Sequence, residues 1–283
     1  MFPSVQIHTW GGLGSQLYAL ALSIDLEDKV FKRGKKFINH SGGTTKRLPE
    51  LSFYTENTKS VDDFVANDKQ ATKNSSFKGT IKFYFKKLIC ITGFYAECND
   101  NGDMHVIKPW VIVIRGHYSH RQVSKESVTR IFQGIEENYF RVHDTKPDRA
   151  FTLHYRLGDL EVISEKSPIR LESIQGIIDE ITTDQPIQFL SLYSDTLDLA
   201  KQRLNSTNNG IIIKSEDKSP LEMIYECVMS HTFIGTNSKI SFWIAICRSV
   251  FKSEGFTYLP LEIKHMIDYQ NKLTGNHEII YYQ

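Results

Sequence analysis

The chain has 283 residues, of which 40% are hydrophobic and 24% charged, and its formal net charge is +1. This balance is typical of a soluble globular protein. It excludes an overall positive field that would attract nucleic acid or a membrane surface. The length suits one large domain or two lobes of ordinary size.

The start of the chain lacks the basic residues and long apolar core of a signal peptide, and no stretch reaches the roughly 18 apolar residues of a spanning helix. The cysteines have neither C-x-x-C nor zinc-site spacing. We therefore expect buried free thiols and a cytoplasmic protein. The cysteines are Cys90, Cys98, Cys227 and Cys247.

Residues 82–87 interleave lysine with phenylalanine and tyrosine. We expect a solvated surface there, as for most charged runs. The alternative is contact with anionic lipid or with a lipid-linked substrate at the inner membrane face. Membrane contact is therefore expected to be peripheral at most.

The first half of the chain begins with a predicted strand at residues 5–9, followed by a glycine turn and an amphipathic helix. The helix has an i, i+3, i+4, i+7 apolar stripe, formed by Leu17, Leu20, Ala21 and Ile24. Residues 39–87 are polar and irregular and give no domain signal. A buried strand is predicted at residues 111–114, then a polar loop at 115–120 and a helix at 125–140.

The second half is more regular. Strands predicted at residues 151–155, 187–192, 211–213 and 232–235 alternate with helical segments. Ser219 and Glu222 form a capping box with Pro220 at the first helical position. The alternation implies βαβ units and a parallel sheet. We place a lobe boundary after Lys146, which gives lobes of residues 1–146 and 147–283.

The glycine turn has the sequence Trp-Gly-Gly-Leu-Gly-Ser-Gln-Leu over residues 10–17. A strand, a glycine turn and a helix N-terminus form a site suited to a phosphate or a sugar nucleotide. A simple tight turn is the alternative. The glycines do not give the G-x-G-x-x-G dinucleotide fingerprint, because residue 17 is leucine.

Three polar segments follow predicted strands, where open α/β sheets bind their ligands. In the first, residues 154–159, Arg156 can donate two hydrogen bonds to phosphate oxygens. Alternatively, it forms an ion pair with Asp159 that only stabilises the loop. In the second, Asp195 can accept hydrogen bonds from a base or a ribose, or it can cap the next helix. The third, residues 235–241, is a strand-to-helix turn. Its backbone N–H groups and helix dipole can bind an anion, or Asn237 or Ser238 simply caps the helix.

Five segments resemble, in the same order, motifs of the α-1,2-fucosyltransferases of glycosyltransferase family 11. Residues 10–17 resemble their G-G-L-G-N-Q-[LM]-F start, and residues 115–118 their G-Y-[FW]-Q loop. Residues 154–159 are similar to the H-x-R-R-x-D motif, and 193–195 to the F/Y-S-D-D segment. Residues 222–243 are similar to the D-[LF]-x-L-M-S to N-S-S-F-S-W-W segment. Residues 39–87 match no motif.

The resemblance implies an α/β fold of GT-B type, with two Rossmann-like lobes whose parallel sheets face a central cleft. The N-terminal lobe would bind the acceptor and the C-terminal lobe the sugar nucleotide. The activity implied is an inverting transfer of fucose from GDP-fucose to a sugar hydroxyl of a glycan, free or lipid-linked. It requires neither a metal nor a cofactor. The implied context is the biosynthesis of bacterial surface polysaccharide such as O-antigen.

The resemblance also assigns site residues. Arg156 would bind the β-phosphate. Independently of the resemblance, Asp159 is our first candidate for the general base because it ends the segment that carries Arg156, and Glu161 is the second; the alternative is that Asp159 only orients Arg156. The remaining donor-binding residues would be Gly11, Gly12, Gly14, Ser15, Gln16, His154, Ser194, Asp195, Asn237, Ser238 and Ser241.

Two positions differ from the family pattern. Leu157 stands in place of the second arginine of the motif, and Ser15 in place of an asparagine. Both positions fall where the donor is expected. Two alternatives therefore stay open: transfer from another nucleotide-linked deoxysugar, and a sugar-nucleotide or glycan-binding protein without turnover.

Overall fold

The computed structural model describes residues 4–27, 36–41, 48–51, 58–60, 88, 91–98, 106–147, 150–158, 169–184, 188–205, 211–215, 217–252, 254–268 and 277–283. The chain divides into two compact units, Met1–Ile131 and Phe132–Gln283, here called the N-terminal and C-terminal units. The division falls inside a helix, whereas the sequence interpretation placed it after Lys146. Each unit contains one parallel sheet, so the predicted α/β class with two parallel sheets is confirmed.

The N-terminal unit contains a five-stranded sheet in the order β3-β2-β1-β5-β4, in which every pair is parallel. Helix α1 follows β1, and helix α2 begins in this unit. The strands are β1 (Val5–Trp10), β2 (Lys36–Ser41), β3 (Thr58–Ser60), β4 (Tyr95–Cys98) and β5 (Val113–Gly116), and the helices are α1 (Leu13–Asp25) and α2 (Lys125–Phe140).

Burial alternates along β1, as expected for a strand with only one face in the core. Val5, Ile7 and Thr9 are fully buried, and the residues between them are partly exposed. The predicted apolar stripe of α1 is also buried, together with most of the other positions of that helix. Both predicted elements at the start of the chain are therefore confirmed.

The C-terminal unit contains a six-stranded parallel sheet in the order β11-β10-β9-β6-β7-β8. Helices connect its successive strands. The strands are β6 (Phe151–His154), β7 (Phe189–Tyr193), β8 (Ile212–Ser215), β9 (Thr232–Gly235), β10 (Phe256–Pro260) and β11 (Glu278–Tyr282), and the helices are α3 (Leu171–Asp184), α4 (Leu197–Asn205), α5 (Pro220–Met229), α6 (Lys239–Phe251) and the short α7 (Lys264–Asp268).

This second sheet is covered on both faces, since successive residues of a strand point to opposite sides. Leu153 packs in an apolar cluster with α3 and α4. The adjacent Thr152 donates to or accepts from the hydroxyl of Ser230, at the end of α5, over 2.8 Å. The central strands β6 and β9 are buried at every residue, as expected for a parallel sheet covered on both faces, whereas the edge strands β8 and β11 are mostly exposed or half-buried.

The strand order of the C-terminal unit reverses at its centre. From β6 the chain proceeds outward through β7 and β8, and it then returns to the other side of β6 through β9, β10 and β11. This is the 3-2-1-4-5-6 order of a doubly wound fold. In a fold with this strand order, the connections after the two central strands lead to opposite faces of the sheet, and ligands bind in the crevice at the carboxyl ends of these strands, here β6 and β9.

Several local predictions are confirmed and others need correction. The capping box of Ser219 and Glu222 is present at the start of α5. Cys98, Cys227 and Cys247 are buried free thiols; Cys90 lies outside the described residues. The strand predicted at 111–114 is Val113–Gly116 instead, because the pairing with β1 and β4 begins at Val113. Arg115, predicted in a loop, is therefore a strand residue.

Candidate functional site

The crevice of the C-terminal unit contains a buried histidine bonded to a helix start. His154 is the last residue of β6 and only 5% exposed. Its Nδ1 lies 2.8 Å from the hydroxyl of Ser241 and 3.4 Å from that of Ser238. The end of β6 is thereby joined to the first turn of α6.

The hydrogen bonds around Ser241 determine the tautomer of this histidine. The Ser241 oxygen accepts the Thr236 N–H and the Ser238 hydroxyl, each over 3.1 Å. It therefore donates its own hydrogen to Nδ1 of His154, so the imidazole carries its proton on Nε2. Nε2 makes no hydrogen bond to any residue that the structure describes.

The imidazole is neutral near pH 7. Burial and, to a smaller extent, the charge of Arg156 lower the pKa of His154 to about 4, against the opposing effect of Asp195. A neutral ring with a proton on Nε2 is a hydrogen-bond donor without charge. It can donate to an oxygen of a ligand that enters the crevice.

Arg156 lies in the segment after β6, here called the Arg156 loop (residues 155–158). Its backbone N–H donates to Oγ1 of Thr236 over 3.0 Å, and Oγ1 of Thr236 donates to the carbonyl of His154 over 2.9 Å. The Arg156 side chain is 27% exposed, and its Nε lies 4.0 Å from Oδ2 of Asp195. The guanidinium is therefore at the surface of the crevice, beside a carboxylate.

Asp195 holds the other end of the Arg156 loop. Its Oδ1 accepts the backbone N–H of Leu157 over 3.0 Å and that of Gly158 over 3.2 Å. The Leu157 side chain is fully buried in the apolar core of the C-terminal unit. The position at which the family motif has a second arginine therefore directs its side chain away from the crevice.

The first turn of α6 forms the remaining wall. Ser238 is the N-cap, and its hydroxyl accepts the N–H of Ser241 over 3.0 Å. Asn237 lies half-buried in the same turn. Ser194, at the end of β7, accepts the N–H of Thr196 over 3.1 Å and so stabilises its own turn. Asn237 or Ser238 was expected as the cap, and Ser238 is the residue that fills this role.

The C-terminal crevice thus combines three groups that favour an anion. The Arg156 guanidinium supplies positive charge and paired donors. The N-terminus of α6, a helix of 13 residues, supplies a positive dipole end. His154 supplies a neutral donor. A phosphate or diphosphate group has the charge and acceptor oxygens that such a site binds.

In the N-terminal unit, the glycine turn also follows a strand at the carboxyl edge of a sheet. Gly11 has φ +96°, which favours glycine, and Gly12 is the N-cap of α1. Gly14 and Ser15 are buried in the first turn. The carbonyl of Gly11 accepts a hydrogen bond from Nε2 of His40 over 2.8 Å.

Gln16 is fully buried, and the chain itself binds its side-chain amide. Its Nε2 donates to the carbonyl of Leu48 over 3.0 Å, and its Oε1 accepts the N–H of Glu50 over 2.7 Å. In this structure Gln16 therefore holds residues 48–50 against the glycine turn.

Three buried polar atoms lie at the ends of β1 and β2 without a hydrogen-bond partner in the structure. They are Oγ1 of Thr9, Nδ1 of His40 and Oγ of Ser41. Thr9 and His40 are paired in register across the two strands. No sequence motif marks His40, because it stands in a polar stretch without a recognisable pattern.

The structure brings the C-terminal candidates His154, Arg156, Asp195, Ser238 and Ser241 together at one edge. It adds Thr236, which joins the segments after β6 and β9. Thr236 belongs to the predicted anion-binding turn at residues 235–241. The sequence pattern does not show that this threonine binds the backbone of two other residues. Asp159 and Glu161, the candidates for the general base, lie outside the described residues.

Within the described ranges, no three His, Cys, Asp or Glu side chains form a metal-binding group. No helix among those residues is both long and apolar enough to cross a bilayer.

No protein-family model matches the chain, and no curated protein is similar to it in sequence. Solved structures show loose likenesses of fold. The glycosyl transferase family 9 protein from Veillonella parvula has a TM-score of 0.46 and 9% identity, over 99% of this chain and 86% of that one. POFUT1 in complex with GDP has a TM-score of 0.44 and 11% identity, over 99% of this chain and 98% of that one. The fucosyltransferase NodZ from Bradyrhizobium has a TM-score of 0.42 and 10% identity, over 87% of this chain and 93% of that one.

Proposed function

We propose that the protein is an inverting glycosyltransferase that transfers fucose from GDP-fucose to a hydroxyl of a glycan. The observation that carries the proposal is the C-terminal crevice, where Arg156, His154 and the start of α6 meet at the point of strand reversal. This is where a doubly wound sheet binds a nucleotide. The resemblance of the sequence motifs to family 11 supplies the sugar and the α-1,2 linkage.

In the proposed reaction, the bond between the anomeric carbon and the β-phosphate oxygen breaks as the acceptor oxygen attacks from the opposite face. The proton of the acceptor hydroxyl goes to a carboxylate, for which Asp159 is the first candidate and Glu161 the second. GDP leaves with the bonding electron pair. Arg156 and the dipole of α6 stabilise the negative charge that develops on the diphosphate.

The proposal requires no metal and no cofactor, because the guanidinium and the helix terminus supply the positive charge. The proposed acceptor is a glycan of a bacterial surface polysaccharide, free or lipid-linked. The proposed location is the cytoplasm or the inner membrane face. In the proposed division of labour, residues 1–146 bind the acceptor and residues 147–283 the donor.

Incubation with GDP-fucose and simple galactosides, followed by mass spectrometry, tests the proposal. We expect the acceptor to gain the mass of one deoxyhexose, and Arg156→Ala to abolish this gain while the protein stays folded. Lys201→Ala, an exposed position on α4, is the matched control and should retain turnover. Near-normal turnover in Arg156→Ala would contradict the assignment.

The donor can be identified by thermal shift with GDP, UDP, CDP and dTDP. A ligand at about 100 times its Kd stabilises the folded state by about 2.7 kcal/mol. We expect GDP to give the largest shift. A larger shift with dTDP would favour another deoxysugar donor, and binding of GDP-fucose without turnover on any acceptor would favour a binding protein.

A further inference from the structure

We infer that Asp195 is a positioning residue that holds the Arg156 guanidinium in place for the diphosphate, rather than a residue that binds the ribose or the base. The inference rests on the proposed function, because it concerns how the donor site is built.

Side chains from other strand ends bind the backbone of the Arg156 loop. Three successive N–H groups, those of Arg156, Leu157 and Gly158, all donate to side chains from other strand ends. Thr236 accepts the first, and Oδ1 of Asp195 accepts the other two, over 3.0 and 3.2 Å. A loop with all three donors engaged has little freedom to change its backbone conformation.

The two oxygens of the Asp195 carboxylate contact different parts of the Arg156 loop. Both backbone bonds use Oδ1, and Oδ2 lies 4.0 Å from Nε of Arg156. One carboxylate thus contacts the loop backbone and also lies beside the guanidinium that the loop carries. The Asp195 side chain is 22% exposed and that of Arg156 is 27% exposed, so the pair is partly shielded from water.

Gly158 lies so close to the Asp195 carboxylate that no side chain fits at residue 158. A Cβ built on Gly158 would lie 2.4 Å from Oδ2 of Asp195, closer than real Cβ contacts. Glycine therefore lets the loop approach the carboxylate. Gly158 and Asp195 act as one unit, and a change at either should disturb the same guanidinium.

The alternative role of Asp195, capping of α4, has no support in the described contacts. The helix begins at Leu197, and the hydroxyl of Ser194 accepts the N–H of Thr196. The carboxylate of Asp195 is directed to the Arg156 loop instead. Its position after β7 is therefore explained by the loop, not by the helix.

Amide hydrogen exchange tests the contact itself, independently of any ligand. In Asp195→Ala, the amides of Leu157 and Gly158 should exchange at least about 10-fold faster than in the wild type, because each loses its acceptor. Asp195→Asn keeps an oxygen at Oδ1 and should retain most of the protection. Asp198→Asn, on the exposed side of α4, is the matched control and should change neither amide.

Calorimetric titration with GDP, inorganic pyrophosphate and guanosine tests the positioning role. Asp195→Ala should weaken the binding of GDP and pyrophosphate by about 10-fold or more, as for a lost hydrogen bond to a charged group, and leave guanosine affinity unchanged. The double variant with Arg156→Ala should bind GDP no more weakly than Arg156→Ala alone, since Asp195 acts through that residue. Gly158→Ala should weaken GDP binding in the wild type but not in the Asp195→Ala background, where the clash is absent.

The outcomes separate the two proposals. A loss of guanosine affinity in Asp195→Ala, or additive losses with Arg156→Ala, would show that Asp195 binds the nucleoside directly and would overturn the inference. Unchanged exchange of the Leu157 and Gly158 amides would also overturn it. A wild-type protein that binds neither GDP nor pyrophosphate would count against the proposed function, and the exchange result would still decide whether Asp195 holds the loop.

Discussion

The hydroxyl of Ser241, in the first turn of α6, lies 2.8 Å from Nδ1 of His154, the last residue of β6. The same oxygen accepts the N–H of Thr236. One serine therefore joins the carboxyl ends of β6 and β9 to the helix terminus that forms the proposed phosphate site.

Ser241→Ala should lower the free energy of unfolding by about 1–3 kcal/mol, because the Thr236 N–H and His154 Nδ1 lose a buried partner. It should also weaken GDP binding. Urea denaturation measures the first effect and calorimetry the second. Ser249→Ala is the matched control on the same helix, since the Ser249 hydroxyl only bonds the carbonyl of Ala245 over 2.9 Å. Equal losses in the two variants would contradict the proposed importance of Ser241.

The lowered pKa of His154 gives a pH dependence with a definite sign. Burial, the charge of Arg156 and the opposing charge of Asp195 set the pKa at about 4, below the value of about 6.5 for an unfolded chain. Between these values the unfolded state binds more protons, so the folded state loses stability as pH falls from about 6.5 to about 4. Above pH 6.5 this contribution is constant.

His154→Gln should therefore flatten the unfolding free energy over that pH range. Burial and the charges of Arg248 and Lys252 also lower the pKa of His277 to about 4. The contribution of His277 to stability therefore falls with pH in the same direction. His277→Gln is thus a second flattening variant, and the double variant should be flatter than either. Urea denaturation at a series of pH values gives the profile. A His154→Gln profile parallel to the wild type would show that His154 has the same pKa in the folded and unfolded states, and would contradict the lowered pKa.

We expect substitution of Arg248 to lower the free energy of unfolding more than substitution of Ser241. Its guanidinium is fully buried on α6 and donates to the carbonyls of Cys227, Val228 and Ser230 over 2.6–3.0 Å. Its Nε donates to Oγ1 of Thr257 over 2.7 Å. These bonds satisfy the end of α5 and connect it to β10.

Arg248→Met should lower the free energy of unfolding by at least about 3 kcal/mol, since several buried carbonyls lose their donor at once. Lys201→Ala, an exposed cation on α4, should change it by no more than about 0.5 kcal/mol. Urea denaturation of both variants measures the difference. A loss as small as that of the control would mean that water replaces the guanidinium.

The parts of the fold that the sequence predicted are local and periodic. The capping box of α5 and the apolar stripe of α1 depend on residues close in the chain, so their patterns are visible. The strands β2, β3, β4, β10 and β11 were not predicted. Strand formation depends on sheet neighbours that are distant in sequence, so the residues of one segment alone do not reveal it. The prediction that residues 39–87 are irregular was therefore wrong at the end of β2 and at β3.

The candidate site was predicted in its residue types but not in its connections. Arg156, His154 and Asp195 could be selected because they follow apolar strands. That Asp195 bonds the backbone of the Arg156 loop, and that Leu157 points into the core, depend on the register of β6 with β7. No pattern within a single segment contains that register, so the role of Asp195 had to come from the structure.

Gln16 gives a prediction that separates a structural role from donor binding. The amide is fully buried and bonded to the backbone of Leu48 and Glu50. Gln16→Leu has similar volume but leaves both backbone groups without their partner. It should lower the free energy of unfolding by about 1–3 kcal/mol and increase proteolysis near residues 48–50.

Gln133→Ala, at an exposed position of α2, is the matched control and should change neither quantity. Calorimetry with GDP completes the comparison. If Gln16 is structural, Gln16→Leu should retain GDP affinity at temperatures where it is folded, because its amide faces the chain. Full stability with weakened GDP binding would instead place the amide against the donor, as the family resemblance implies, and would require the bonds to residues 48–50 to open when the nucleotide binds.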